Sequence, residues 1–501
     1  MKRTTKSSAL LLAFLLLAGC AQETSDVKQD STGEGAADQT ITAETSMESE
    51  EAETERTPAL PDDLSFHGET FRFLSRHESS GTWTVLDAYT EGTNGEVLND
   101  AIYQRNDEVM ERLDVVIEQT PSSNVPNDVK AAVMSGDNSF DALLMNAVGS
   151  FSMASGELLT DLREIPYIDL DNPWWDSGAN ETLALYGHQY YAVSDMNLMA
   201  NEATWITMAN KTVLDDLGIG LDSIYDKVRE GVWTIDAYRA VSEPFYRDVN
   251  NNGKTDSEDW YGTVMQGHGA DGFLMGLGMR WVEKDEDGEP VLIPLDDRTV
   301  SIFDKVGAVV NNKVAFNSHD SKQNDKFSQN TEYGQQIFAE NRAIFFTETL
   351  QCVRRLRTMD TDFGVLPMPK YDETQETYIS MTHWWAMSAL SLPLNLPNPE
   401  KSGAVLEYMS YLSTKEIKDV YFDVAINGKY LRDEQSIEMM EYVMQKRVID
   451  LAYAMFHDGS LPGKIRDMLY EGGTDYASTY AQNGKLVDRY MEKLLSPIRG
   501  S

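Results

Sequence analysis

The residues with the most defined chemistry in this chain are Asp248-Val-Asn250-Asn-Asn252-Gly253-Lys254-Thr-Asp256-Ser-Glu-Asp259. A calcium ion takes about seven oxygen ligands. A twelve-residue loop can supply them from side chains at positions one, three, five, nine and twelve and from a backbone carbonyl at seven. Those side-chain positions hold Asp248, Asn250, Asn252, Asp256 and Asp259, with Lys254 at the carbonyl position and Gly253 at the sharp turn. The spacing predicts a structural Ca²⁺ site, weakened because Asp at position twelve reaches less far than Glu. An Asn/Gly-rich turn that binds nothing is the competing reading.

A second chemistry lies in tryptophans beside amides and carboxylates: Trp83, Trp174, Trp175, Trp205, Trp233, Trp384 and Trp385. Sugars present apolar C–H faces and hydroxyl rims, so aromatic plates with a few polar groups suit them. Core packing accounts equally well for any single tryptophan. In an extended Trp174-Trp175 or Trp384-Trp385 pair the rings point to opposite sides, which puts one of each pair in the core. The carboxylates are too numerous to single out a glycosidase pair, which is defined by separation in space. The sequence holds no G-x-S-x-G, no H-E-x-x-H and no phosphate-cradling glycine loop. Its histidines are scattered; His268 and His383 are carried forward as candidates.

Composition bounds the partners. Lys+Arg 42 against Asp+Glu 82 gives a formal net charge of −40 over 501 residues, which excludes nucleic acid as a partner, since that binding neutralises phosphates with Lys and Arg. It also disfavours flat docking on anionic lipid. The N-terminal segment combines Lys2, Arg3 and Lys6 with the apolar run Ala9–Ala18, too short to span a bilayer, and ends Leu17-Ala18-Gly19-Cys20. This resembles a bacterial lipoprotein signal peptide, which implies lipidation of Cys20 and a chain anchored on the extracytoplasmic face of the membrane. Cys352 is the other cysteine, so the mature chain has no intramolecular disulfide and no cysteine metal site. Residues 21–65 are acidic and nearly free of aromatics, a composition that predicts a disordered tether.

Phe71–Leu74, Val115–Ile117 and Phe140–Met145 read as strands. Leu98–Leu113 and Asn127–Met134 read as the helices between them, the second stopped by Gly136. That alternation predicts an α/β domain with a mainly parallel sheet, whose ligands sit beyond the carboxyl ends of the strands. Tyr190–Gly218 then carries Asp195, Asn201, Glu202 and Trp205 through a Met/Ala/Ile-rich run. Polar groups are costly to bury there unless a cleft or partners account for them. Thr234 is placed to cap a helix, and Asp287-Gly288 to turn a hairpin.

The stretches LNDAIYQRN, VMSGDNSFDALL, MANKTVLDDLGI, EGVWTIDAY, DVNNNGKTDSEDWYG, ENRAIFFTETL, DFGVLPMPKYDETQETY and NGKYLRDEQSIEMM follow one another over most of Phe66–Leu495. In this order they resemble an extracellular solute-binding lipoprotein of an ABC importer, of the carbohydrate type with the type 2 periplasmic-binding-protein-like fold. The resemblance implies a two-lobed α/β fold with interlobe hinge crossings. It divides the chain into a signal peptide (1–20), a tether (21–65), lobe one (66–197 plus 342–395) and lobe two (198–341 plus 396–495). It implies a monomer that captures a carbohydrate between the lobes and delivers it to permease subunits, with no catalytic residues. Non-sugar solute binding, a surface glycan-degrading enzyme and a calcium-stabilised adhesion module are the alternatives. The expected ligand contacts are Trp83, Asn146, Trp174, Asn201, Glu202, Trp205, Glu348, Thr349, Trp384 and Trp385.

Overall fold

In the computed structural model, which describes residues 56–77, 87–317, 332–422, 434–456 and 460–500, the first apolar runs become β1 (Glu69–Arg76), β2 (Val115–Ser122), β3 (Ala142–Met145) and β4 (Tyr191–Ala192). The chain continues through β5 (Trp205–Asn210), β6 (Tyr261–Met265), β7 (Val282–Lys284), β8 (Pro290–Leu292), β9 (Ala315–Asn317), β10 (Ala343–Thr349) and β11 (Phe363–Leu366). Short strands β12 (Ser380–Met381), β13 (Ala389–Ser391) and β14 (Arg447–Val448) complete the set. Cys20 and Trp83 fall outside the described residues.

These strands form two main sheets, ordered β2-β1-β3-β13-β4 and β11-β5-β10-β6-β9. In the first, β1 runs parallel to β2 and β3, as the strand–helix rhythm requires, while β13 is antiparallel to β3 and β4. In the second, β10 is parallel to β6 and antiparallel to β5. Every residue of β5 and β10 is buried, so neither shows the alternation of a strand with one face in water. β7 and β8 form the expected hairpin, with Gly288 at a φ of 77° in its turn.

The chain passes between the sheets along segments that are hydrogen-bonded side by side. His383 N donates to Ala203 O at 2.8 Å, Thr382 N to Val448 O at 2.8 Å and Ser380 N to Lys446 O at 2.9 Å. Thr204 and Thr382 form an antiparallel bridge. Buried apolar side chains of both lobes, including Met145, Phe151, Trp205, Phe273, Trp384 and Tyr453, belong to one continuous cluster.

Three expectations are corrected here. The segment 342–395 does not belong wholly to lobe one: β10 and β11 are hydrogen-bonded into the second sheet, with β10 at its centre, and β13 returns to the first. Conversely, the helix Pro399–Leu412 of the supposed second lobe packs Ala404, Val405, Leu406 and Met409 against Phe71, Phe73 and Leu144 of the first. The folded part also begins before Phe66, because Leu60 and Leu64 pack on that core and Arg112 donates to Pro61 O at 2.7 Å.

Trp174 is a further correction. It is 1% exposed, and its Nε1 donates to Glu407 Oε1 at 3.0 Å, while the equally buried Trp175 donates to Glu407 Oε2 at 2.9 Å. Pro173 and Trp174 lie in a turn, so the alternation of an extended chain does not apply and both indoles reach one carboxylate. Asn172 Nδ2 adds a third donor to Glu407 at 2.8 Å. Burial raises the Glu407 carboxyl above its ordinary value, and these donors oppose the rise. Glu407→Leu strands these donors in the core and should cost about 2–4 kcal/mol of stability. Chemical denaturation reads this directly, and an unchanged midpoint would contradict the packing.

Candidate interlobe site

The parallel strands β1 and β3 of the first sheet and β6 and β10 of the second end toward the crossing segments. β3 ends at Asn146, whose side chain accepts from Gly149 N at 2.8 Å and so caps the helix Ala147–Ser155. β6 leads through Gln266 and His268 into the helix Gly269–Gly276, and β10 ends in Glu348 and Thr349. Glu348 is 1% exposed. Its Oε1 accepts from Thr349 N and Oγ1, and Arg355 lies 3.5 Å from its Oε2, an electrostatic contact.

Where the crossings meet, aromatic rings of both lobes are in contact. Trp205 stacks on His383 with ring centroids 6.0 Å apart, and His383 stacks on Trp384 at 4.5 Å. Trp384 lies face to face with Tyr453 at 3.9 Å and 9°. His268 meets both His383 and Trp384 edge-on, at 5.0 and 5.2 Å. His383 Nδ1 accepts from Trp385 N at 3.2 Å. Burial, then the neighbouring His268, hold His383 well below the ordinary histidine range, so the imidazole is neutral. Trp205 Nε1 is buried and has no hydrogen-bond partner among the described residues.

One side of this column is charged. Asp271 is fully buried; its Oδ1 accepts from Tyr453 Oη at 2.8 Å, and its Oδ2 lies 3.1 Å from both Arg466 Nη1 and His268 Nδ1. Burial alone pushes its carboxyl up, and Arg466, His268 and Tyr453 together bring it below the usual value. Trp281 Nε1 donates to Tyr453 Oη at 3.1 Å, which ties the column to the second lobe.

A second polar group lies beyond the end of β1. Asp87 is buried and accepts from Met199 N at 3.0 Å and from the Ser388 hydroxyl. Arg76 donates to the carbonyls of Trp385, Ala386 and Met387 at 2.7–3.0 Å. Glu202, 3% exposed, pairs with Arg354 at 2.9 Å. Asn201 accepts from Arg447 Nη1 at 2.6 Å.

The structure therefore gathers Trp205 and Trp384 with His268 and His383, and places Glu202, Asn201, Glu348 and Thr349 at the crossings in polar contacts of their own. Asn146 serves as a cap. Trp385 is 48% exposed. Sequence reasoning missed Asp87, Asp271, Tyr453 and Arg466, which come from distant segments. The run Gly267-His268-Gly269-Ala270-Asp271 was the one available signal, since it marks a tight entry into a helix with an acid in its first turn.

The 248–259 loop has the frame expected of it. Asp248 accepts from Asn252 N and Gly253 N, Asn252 Oδ1 accepts from Lys254 N, and Gly253 has a φ of 72°. The ends of Asn250 and Asn252 converge on Asp256 Oδ2, at 3.1 and 2.6 Å. Both approach through nitrogen, whereas an ion needs their oxygens. Asp259 instead accepts from Val249 N and Tyr246 Oη. Among the described residues, no group of three or more His, Cys, Asp and Glu side chains is arranged to hold a metal.

Two α/β lobes joined by paired crossing segments define a two-lobed binding-protein fold of the type 2 periplasmic class. No family model matches the chain, and no curated protein matches it. Solved structures do. An ABC substrate-binding protein from Listeria monocytogenes, in complex with cycloalternan, matches at a TM-score of 0.52 and 13% identity, over 86% of this chain and 99% of that one. The GacH receptor of Streptomyces glaucescens, solved unliganded and with acarbose, matches at 0.52 and 15% identity over 85% and 99%. The galacto-N-biose/lacto-N-biose I-binding protein of the ABC transporter from Bifidobacterium longum, in complex with lacto-N-biose, matches at 0.52 and 12% identity over 85% and 98%. No described helix is long and apolar enough to cross a membrane.

Burial raises the Asp87 carboxyl from 3.8 to about 6, against opposing hydrogen bonds from Ser388 and Met199 and the charges of Arg76 and Arg105. The folded state thus holds this proton more tightly than the unfolded chain, and the stability so gained is lost as pH rises from 3.8 to about 6. Asp87→Asn keeps both hydrogen bonds, because the Ser388 hydroxyl can accept instead of donate. Wild type should therefore gain stability relative to the variant as pH falls from about 7 to about 4. A pH-independent difference in unfolding free energy would remove Asp87 as a titrating group.

Proposed function

We propose that this chain is the solute-capturing component of an ABC-type importer, which closes two lobes on a carbohydrate and delivers it to permease subunits. The observation that carries this reading is the column Trp205–His383–Trp384–Tyr453 at the crossings, with the unpartnered Trp205 Nε1 inside it. Aromatic faces from both lobes match the C–H faces of a sugar, and neutral imidazole, amide and carboxylate groups match its hydroxyls. The rings touch one another in the present arrangement, so a bound sugar must part Trp384 from Tyr453 by hinge motion. The neighbours crystallised with cycloalternan, acarbose, lacto-N-biose and alpha-D-tagatose support a carbohydrate over a peptide.

The same reading assigns Cys20 a lipid anchor on the extracytoplasmic face, residues that follow it a tether, and the folded chain a monomeric state. Of the expected contacts, Trp205, Trp384, Asn201, Glu202, Glu348 and Thr349 line the crossings, while Trp385 supplies an exposed plate at their edge. Calorimetry with neutral oligosaccharides of several linkage types tests the ligand class. Trp384→Ala should weaken binding by about 1–3 kcal/mol, as loss of a buried aromatic contact does. Absence of heat from every sugar would end the carbohydrate reading, and unchanged affinity in the variant would move the site away from the column.

We also infer that the 248–259 loop takes a structural Ca²⁺ ion, for which Asn250 and Asn252 rotate their amide oxygens inward. Calcium should raise the melting temperature and a chelator lower it, and Asp248→Ala should abolish the difference. Identical melting with and without calcium would reduce the loop to a turn.

A further inference from the structure

A cavity of about 650 Å³ lies apart from the aromatic column, between the helix Ser177–Leu183 of the first lobe and β7, β14 and the segment leading into the helix Leu451–Phe456. Its walls carry Arg280, Lys284, Lys446 and Arg447. The acids beside them are Asp176, Glu181 and Glu283. Asp176 is taken by Arg447, at 2.5 Å, while Glu181 and Glu283 are exposed residues whose charges act on Lys284 and Arg280 from beyond ion-pair distance.

Arg280 is the informative group. It is half-buried, and its Nη1 donates to Met279 O at 2.5 Å and Met275 O at 3.3 Å. Its Nε and Nη2 have no hydrogen-bond partner, and no carboxylate lies within ion-pair distance, among the described residues. Burial lowers its proton affinity, and Asp450 and Glu283 only partly offset that. Lys284 Nζ reaches a backbone carbonyl, that of Glu181, and no carboxylate. This chain carries nearly twice as many acids as bases, 82 against 42, yet lines one cavity with two partly desolvated cations that have no carboxylate within ion-pair distance among the described residues. A guanidinium with two free donors on a cavity wall presents the fork that oxyanions accept.

We propose that this cavity binds an anionic group, a carboxylate, sulfate or phosphate, held by Arg280 and Lys284 with Lys446 and Arg447 at its rim. The group comes either from a free anion or from an acidic substituent on a saccharide. Arg447 also donates to Asn201 at the first crossing and to Asp176 in the first lobe. An anion seated here therefore favours the lobe arrangement that keeps those walls together. This inference stands independently of the carbohydrate proposal, and a neutral-sugar titration on the same protein keeps the two outcomes separate.

The full chain is titrated calorimetrically with inorganic phosphate and with sulfate at matched ionic strength, and with digalacturonate against neutral galactobiose. Saturable binding of phosphate or sulfate identifies a free-anion site; binding of digalacturonate alone identifies an acidic substituent. In either case Arg280→Gln and Lys284→Gln should each weaken that binding at least tenfold. If Arg280→Gln does not fold, Lys284→Gln and the exposed Lys446→Gln carry the comparison. No saturable binding by any of these anions, an effect that chloride reproduces at equal ionic strength, or affinity unchanged in the folded variants overturns the proposal.

Discussion

The backbone ladder between 203–205, 380–383 and 446–448 is the constraint on which the rest of the molecule depends. A chain that leaves one sheet for another carries peptide groups through the interior, and each buried N–H and C=O needs a partner. Here the crossing segments satisfy one another: His383 N with Ala203 O, Thr382 N with Val448 O, Ser380 N with Lys446 O. Pairing the crossings fixes their register, and the register sets which side chains leave the hinge on the same side. Across the antiparallel Thr204–Thr382 bridge, Trp205 and His383 are diagonal neighbours on one face, within reach of each other's rings. Their stacking is a consequence of that bridge.

The ladder also explains why charge is tolerated at such depth. Asp271 could not be buried beside aromatic rings on its own, because desolvating an isolated carboxylate costs far more than ordinary packing returns. Arg466 comes from a helix near the C-terminal end, and Tyr453 from the segment that follows β14. The pairing of β14 with β12 holds the chain at the crossings just before Tyr453. The aromatic column and its charged flank thus draw on segments almost two hundred residues apart.

Local order was legible where one segment determines its own structure. The strand–helix alternation of the first lobe, the Thr234 cap, the Asp287-Gly288 turn and the frame of the 248–259 loop depend on neighbours a few residues away, and the sequence states those neighbours. What depends on partners from elsewhere was not legible. Trp174 and Trp175 read as a divided pair, but both answer to Glu407 from a helix over two hundred residues later. β10 is buried on every residue, and such a run carries no mark of which sheet receives it. His268 and His383 could be noted, whereas Tyr453 and Arg466 look like any tyrosine and arginine on an amphipathic helix.

Charge of both signs is buried in this protein, and each buried group has been given a partner or a cost. Arg105, Lys370, Lys401 and Arg466 are all buried. Arg105 is spent on the carbonyls of Asp87 and Ala88 and on the Ser413 hydroxyl, and Lys401 on Thr70 O and the carboxylates of Glu69 and Asp141. Carboxylates are buried in greater number, among them Asp87, Glu202, Asp271, Glu348, Glu407 and Asp450, so burial withdraws charge of both signs and the surface keeps an acidic excess. Beyond the screening length of about 8 Å at physiological salt, an approaching solute meets little of that field. Under the anion-site proposal, selection between neutral and acidic solutes is made at short range, by the cations that line the cavity. An acidic exterior and a locally basic cavity are compatible for that reason, and a neutral sugar approaching the crossings is indifferent to both.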